Sequence, residues 1–220
     1  MELLYVDRNI VVCIKPAGVP STDVPGGLPE LVRQALGDPQ ATVKTVHRLD
    51  QVVSGVMVLA RTARTARELS QQIQAHEFQK TYLAVLHGCP DPKAGQLRDL
   101  LLRDKAQRRT LVAAQPGPDV QEALLDYQVL AEGQGLSRVE IRLQTGRTHQ
   151  IRVHMAAQGH PVLGDPVYGG QRKGFPELAG QCLHARRLSF VHPRTQERMT
   201  LECPLPAYFA STLTRCARLL

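Results

Sequence analysis

Apolar and polar positions follow two periods along the chain, and the switches between them mark out its elements. Leu3-Leu4-Tyr5-Val6 and Ile10-Val11-Val12-Cys13-Ile14 read as strands around a turn at Asp7-Arg8-Asn9. Lys15-Pro16-Ala17-Gly18-Val19-Pro20 breaks the pattern into a loop. Helical spacing follows at Leu31, Val32, Ala35 and Leu36, with Pro29 in the first turn and Gly37 just past the end. Residues 43–46 form a short strand that runs into His47-Arg48-Leu49-Asp50, and after Ser54-Gly55 the apolar run 56–60 is another. A helix capped by Thr62 puts Ala66, Leu69 and Ile73 on one face and Arg61, Arg64 and Arg67 on a solvated one. Residues 81–87 are a further strand, stopped by Gly88.

Residues 90–120 are rich in Pro, Gly and charge and read as an irregular excursion or hairpin carrying Arg98, Arg103, Lys105, Arg108 and Arg109. Strand character returns at 124–130. It is clearest at 138–145, where Val139, Ile141 and Leu143 alternate with Arg138, Glu140 and Arg142. Gly146-Arg147 then leads into a helix expected to be capped by Thr148 and ended by Gly159, with Pro161 beyond. This order predicts an α+β fold with a mixed, mainly antiparallel central sheet flanked by helices, residues 1–220 forming a single domain.

Composition narrows the picture only a little. With 43% hydrophobic residues, 4% aromatic and no Trp, the core has to be mostly aliphatic. No apolar run approaches the ~20 residues of a membrane span, and the N-terminus lacks a secretory pattern, so a soluble, cytoplasmic monomer is the expectation. Cys13, Cys89, Cys182, Cys203 and Cys216 show no C-x-x-C spacing, and Cys182 with His184 offers only half a ligand set, so no metal is expected. The 27 Lys and Arg against 20 Asp and Glu give a net charge of +7, which suits a polyanionic partner without requiring one.

Four places carry candidate chemistry. Asp50 lies in a polar turn between apolar strands, where functional groups are often displayed; a carboxylate there can attack a sugar carbon if a cation keeps it ionised. Arg48 and Arg152 are candidate cations, although on residues 47–50 alone a hydrogen-bonded turn is the better explanation of His47, Arg48 and Asp50. Arg152 sits among Ile151, Val153 and Met155, so it needs a buried partner, either Asp50 or another intradomain group. Tyr82 is a core ring with its hydroxyl at the edge, or a platform for a nucleobase. Gly146-Arg147-Thr148-His149-Gln150 at a helix start offers amides, Arg147 and His149 to a phosphate, or is a plain capped helix.

Read together, these segments resemble the RluA-type family of RNA pseudouridine synthases over nearly the whole length. The matching pieces are Ile14-Lys15-Pro16-Ala17-Gly18, His47-Arg48-Leu49-Asp50 with Ser54-Gly55, and Lys80-Thr81-Tyr82. Further on come the residues from Gly146 through Ile151-Arg152-Val153-His154, Gly159-His160-Pro161-Val162-Leu163-Gly164-Asp165 with Tyr168-Gly169, and Leu183-His184-Ala185. The resemblance implies isomerisation of uridine to pseudouridine in rRNA or tRNA, without metal or cofactor. It implies Asp50 as the catalytic aspartate, Tyr82 as the ring on the target base, and Arg152 as the basic residue paired with the aspartate. It also implies Arg48 as the arginine that enters the RNA stack. Many relatives carry an S4-type RNA-binding domain ahead of the catalytic one, which this chain is expected to lack. Leu124-Leu125 also stands where relatives often have a polar, threonine-containing segment. Two rivals remain: a catalytically inactive RNA-binding protein on the same fold, and a two-carboxylate glycoside hydrolase with Asp165 as second acid, although Gly164-Asp165-Pro166 reads better as a turn.

Overall fold

The computed structural model describes residues 1–170, 175, 178, 180–209, 212, 214, 218 and 219. In chain order the elements are β1 (Leu3–Val6), β2 (Ile10–Lys15), α1 (Leu28–Ala35), β3 (Lys44–Thr45), β4 (Ser54–Ala60), α2 (Ala63–Gln74), β5 (Gln79–His87), β6 (Ala94–Asp104) and β7 (Arg109–Ala113). They continue with β8 (Val120–Gly133), β9 (Leu136–Leu143), α3 (Gln150–Ala157), β10 (Leu183–Val191), β11 (Arg198–Glu202), a 3-10 turn (Ala207–Phe209) and β12 (Arg218–Leu219). The fold is α+β, and the chain divides into two compact units, Met1–Lys80 with Ala185–Pro204, and Thr81–His184 with Leu205–Leu220.

In the first unit the strands follow the order β1-β2-β4-β10, with β11 on β10 and β3 on β4. β2 meets β4 antiparallel from Ile10↔Ala60 to Lys15↔Gly55. Helix α2 starts where the sequence predicts, Thr62 Oγ1 accepting the Thr65 amide at 3.0 Å. Its inward residues Leu69, Ala66 and Ile73 close over Ile10, Val12, Val56, Val58 and Phe190. Outside, Arg64 pairs with Glu68 one turn on, at 2.9 Å.

Two local features hold this unit to its shape. Gly55 takes φ +134°, and a Cβ there would stand 2.3 Å from the Ala185 carbonyl oxygen, so only glycine lets β4 lie so close to β10. His47 accepts the Val58 amide on Nε2 at 3.1 Å and sets its ring edge-on to Phe78. Burial, reinforced by the charge of Lys80, pushes its pKa down to about 3.

The second unit has the order β5-β9-β8-β6-β7, with β12 on β8. β8 is the long spine, antiparallel to β9 on one side and to β6 on the other. The basic stretch 90–120 is thus ordered as the β6–β7 hairpin, with the register Leu100↔Ala113 to Asp104↔Arg109. Its irregular appearance in the sequence comes from solvent on much of both strands, which removes the apolar alternation. One core gathers Leu83, Val85, Ala131, Leu136, Leu163 and Phe209; another, smaller one joins Leu101, Ala123 and Val153, with Tyr168 against it.

The start of α3 differs from the expectation. Thr148 does not cap it; the N-cap is His149, held in the left-handed region at φ 57° with no side-chain cap bond. Thr148 instead offers its carbonyl to Thr110 Oγ1 at 2.9 Å. Gln150 does the local tying: its Oε1 accepts the Arg147 amide and the Thr145 hydroxyl, and its Nε2 donates to the Leu124 carbonyl. Gly159, at φ +82°, follows the helix end as predicted.

Two stability outcomes follow from these contacts. Gly55→Ala should lose about 2–4 kcal/mol of unfolding free energy in urea titration, through strain and clash together; a loss under 0.5 kcal/mol would show that the close approach relaxes freely. The folded protein keeps His47 neutral while the unfolded chain takes up a proton below about pH 6.5, so stability should fall as pH drops from there toward 3. Between pH 6.5 and 5 the wild type should lose about 1 kcal/mol per pH unit more than His47→Gln, which keeps an acceptor but does not titrate. Parallel slopes would refute this.

Candidate active site

Asp50 is half-buried and follows β3 in a tight turn closed by the Val53 amide on its own carbonyl at 3.0 Å. The residues on either side of it are clamped. Ser21 Oγ donates to the Leu49 carbonyl at 2.7 Å and accepts the Leu49 amide at 3.1 Å, while Thr45 Oγ1 fixes the Ser21 carbonyl at 2.9 Å. Gln51 accepts the Gly18 amide on its carbonyl at 2.8 Å and returns its side-chain amide to the Gly18 carbonyl at 2.9 Å. Arg48, next to this rigid pair of anchors, is exposed.

Beneath the turn lies Lys15, which is 0% exposed. Its ammonium donates to the carbonyls of Pro16, Val19 and Gln51 at 2.9, 2.7 and 3.0 Å. An ammonium has three donors, and here all three are spent on backbone. Lys15 therefore acts on Asp50 as a point charge while stitching the 15–19 loop to the Asp50 turn. Burial pulls its pKa down to about 8, with the charge of Asp50 acting in the opposite sense. The sequence carries one signal of this role, a lysine that ends an apolar strand before Pro-Ala-Gly.

The second unit carries Tyr82, Arg152, Arg147 and His149. Tyr82 is buried in β5 between the equally buried Thr81 and Leu83. Arg152, on the inner side of α3, makes a two-pronged ion pair with Asp165, Nε to Oδ2 at 2.6 Å and Nη2 to Oδ1 at 3.0 Å. Both side chains are at most 4% exposed. The intradomain partner foreseen as one option for this arginine is thus present. Asp165 also forms the turn read from the sequence, its Oδ1 accepting the Val167 amide at 3.0 Å and the Tyr168 amide at 3.4 Å.

Tyr168, brought in by that turn, faces the same arginine, whose guanidinium carbon lies 5.1 Å from the ring centre. Its hydroxyl accepts the Thr110 amide at 2.7 Å and stands 2.9 Å from His149 Nδ1. His149 is therefore half-buried inside a network and not simply displayed at a helix end. Arg147 donates from Nε to the Glu122 carbonyl at 2.9 Å and gives its amide to Gln150, so part of the expected anion cradle is already in use. Tyr168 was not singled out as a site residue, because the partners of its hydroxyl, Thr110 and His149, are distant in sequence.

Among the described residues no three His, Cys, Asp or Glu side chains gather as a cation site, and no helix is long and apolar enough to cross a membrane. Cys13, Cys182 and Cys203 are buried thiols; Cys216 lies outside the described residues.

Comparison with known proteins gives a consistent answer. The family described as RNA pseudouridylate synthase matches residues 9–157. An uncharacterized RNA pseudouridine synthase of Bacillus subtilis, YhcT, is 36% identical over 217 residues, 94% of this chain and 69% of that protein. Ribosomal large subunit pseudouridine synthase D of Pseudomonas aeruginosa is 35% identical over 228 residues, 95% of this chain and 69% of that protein. Among solved structures, human RNA pseudouridylate synthase domain containing 4 superposes with a TM-score of 0.81 at 26% identity, covering 100% of this chain and 94% of that one. A half-buried aspartate on a clamped turn and a deeply held arginine thus occur in a chain that belongs to the RluA-type RNA pseudouridine synthases, isomerases acting on RNA.

Proposed function

We propose that Asp50 is the nucleophile with which this enzyme isomerises specific uridines of structured RNA, and that residues 1–220 work as one catalytic domain. The observation that carries the reading is the way Asp50 is presented: half-open itself, with Leu49 and Gln51 both clamped through their backbone. A carboxylate held still in this way can meet a sugar carbon in one geometry without paying for reorganisation at each turnover. The family match running from residue 9 to 157 supports the single-domain reading, since it passes through both units.

The reaction breaks the bond from C1′ to N1 and forms one from C1′ to C5; the C5 hydrogen leaves as a proton and N1 takes one up, so the product is an isomer of the substrate. No electrons are exchanged with a partner, so the reading needs neither cofactor nor metal. Asp50 either attacks C1′ or promotes loss of the C2′ proton to give a glycal; in both, the carboxylate must be ionised. Lys15, buried close by, places a positive charge beside the turn. Tyr82 supplies a ring for the detached base, and Arg152 a fixed positive charge. Arg48, exposed beside the turn, is the side chain to hold the flipped nucleotide out of its stack. Arg147 and His149 serve the flanking phosphates.

Ribosomal RNA is favoured as a substrate by the name of the Pseudomonas relative, with transfer RNA the other structured RNA of the same chemistry. The net charge of +7 fits a protein that holds RNA by its own surface. We place the enzyme in the cytoplasm as a monomer.

Release of tritium from RNA labelled at uridine C5 checks the assignment. The wild type should release it in the presence of a metal chelator, and Asp50→Asn should show no release while retaining RNA binding. Turnover by Asp50→Asn, or a wild type that binds RNA without releasing label, would overturn the reading; the latter would favour an inactive RNA-binding protein.

Arg152 needs a milder test, because Arg152→Ala would leave Asp165 buried without its cation, at a cost of about 3–5 kcal/mol. Arg152→Lys keeps a charge but loses the fork, and should slow turnover far more than Arg98→Ala, whose exposed partner is Glu122. Equal small effects would make Arg152 structural only.

A further inference from the structure

Resting on the role just given to Arg152, we propose that Tyr168 is a positioning residue, through which the β6–β7 hairpin fixes the guanidinium of Arg152. Three observations within the second unit converge on it. The tyrosine ring lies 5.1 Å from the Arg152 guanidinium carbon, within cation–π reach. Its backbone amide shares the Asp165 carboxylate with that same arginine, at 3.4 Å. Its hydroxyl is fastened to β7, accepting the Thr110 amide at 2.7 Å and donating toward the Thr110 carbonyl at 3.2 Å.

The carboxylate alone does not determine where the guanidinium lies. A fork on a carboxylate fixes the plane of the pair but leaves it free to swing with the turn that bears Asp165. Gly170 keeps this turn tight: a Cβ there would stand 1.8 Å from the Val162 carbonyl oxygen. Tyr168 adds a second, independent restraint from the face of the guanidinium. That restraint is referred to the hairpin, because the hydroxyl is held by the main chain of Thr110 in β7.

The hairpin in turn rests on the helix that carries Arg152. Thr110 Oγ1 donates to the Thr148 carbonyl at 2.9 Å, Leu101 packs with Val153, and Asp99 lies 3.8 Å from His154. Thr110, 2% exposed, is the point where the ties to Tyr168 and to Thr148 meet. The hairpin tip carries Lys105 and Arg108, both exposed, which places a phosphate-seeking end on the same rigid lever. His149, 2.9 Å from the tyrosine hydroxyl, is tied to the same point, so the helix start moves with it.

Two substitutions separate the ring from the hydroxyl. Tyr168→Phe keeps the face over Arg152 and removes the link to Thr110 and His149; Tyr168→Leu removes both. In single-turnover assays at saturating RNA, the Phe variant should be slowed about 10-fold and the Leu variant about 100-fold, with the Kd for RNA unchanged within about twofold in both. A purely structural role would lower the unfolding midpoint without this split between rate and binding. Rates equal to wild type in folded Tyr168→Phe, or a loss residing wholly in Kd, would overturn the proposal. If Tyr168→Leu does not fold, the Phe variant decides alone.

A readout independent of activity separates this inference from the assigned reaction. In 1H–15N spectra the Arg152 Nε–H, bonded to Asp165 at 2.6 Å, should give a protected signal in the wild type that shifts and loses exchange protection in Tyr168→Phe. An unchanged signal would sink the proposal even in an active enzyme. A wild type that releases no label, with the signal still responding to Tyr168→Phe, would instead indict the functional reading.

Discussion

The fork between Arg152 and Asp165 is the interaction on which the second unit's site depends. Two full charges lie where water scarcely reaches, their donors and acceptors 2.6 and 3.0 Å apart. Burying such a pair costs several kcal/mol per ion, and a well-packed apolar pair of similar volume would often serve stability as well or better. Its presence therefore makes more sense as a device for holding a cation in one place. Everything nearby follows that requirement: Asp165 uses a second lone pair for the turn amides, and Tyr168 covers the open face of the guanidinium.

The first unit solves the complementary problem for an anion. In the proposed reaction Asp50 must remain usable, and its neighbours are held through their backbone and by a buried ammonium that spends its hydrogen bonds elsewhere. The carboxylate feels the charge of Lys15 without being consumed by it. Gly55 and His47 belong to the same construction, since each removes an obstacle to a close approach, one by lacking a Cβ and the other by accepting a strand amide while uncharged.

Much of this is legible in the amino-acid sequence. The strands β2, β4 and β5 declare themselves as short apolar runs, buried on both faces and bounded by turn signals, and helix α2 with its Thr62 cap by one buried face and one wet one. The candidate Asp50 was legible for a different reason, the ordered series of motifs around it. Three things resisted reading. The β6–β7 hairpin is solvated along much of its length, so its pattern carries no period. The C-terminal β10–β11 hairpin escaped because β10 is buried on both faces in part and then switches. The partner of Arg152 was invisible as such, because a turn-forming Asp-Pro looks the same whether or not an arginine thirteen residues earlier folds back onto it.

Lys15 has a consequence outside the catalytic account. Reaction of an amine with an acylating reagent needs a lone pair and access, and this fold withholds both while the three protons of Lys15 are hydrogen-bonded. Burial pulls the Lys15 pKa down to about 8, yet its side chain is sealed. It should stay silent toward such reagents while the loop stitched to it is in place, and become the most ordinary of lysines once that stitching opens. Its chemical labelling is thus a clock for local opening of the turn that bears Asp50, set by the protein's own fluctuations and not by the reagent.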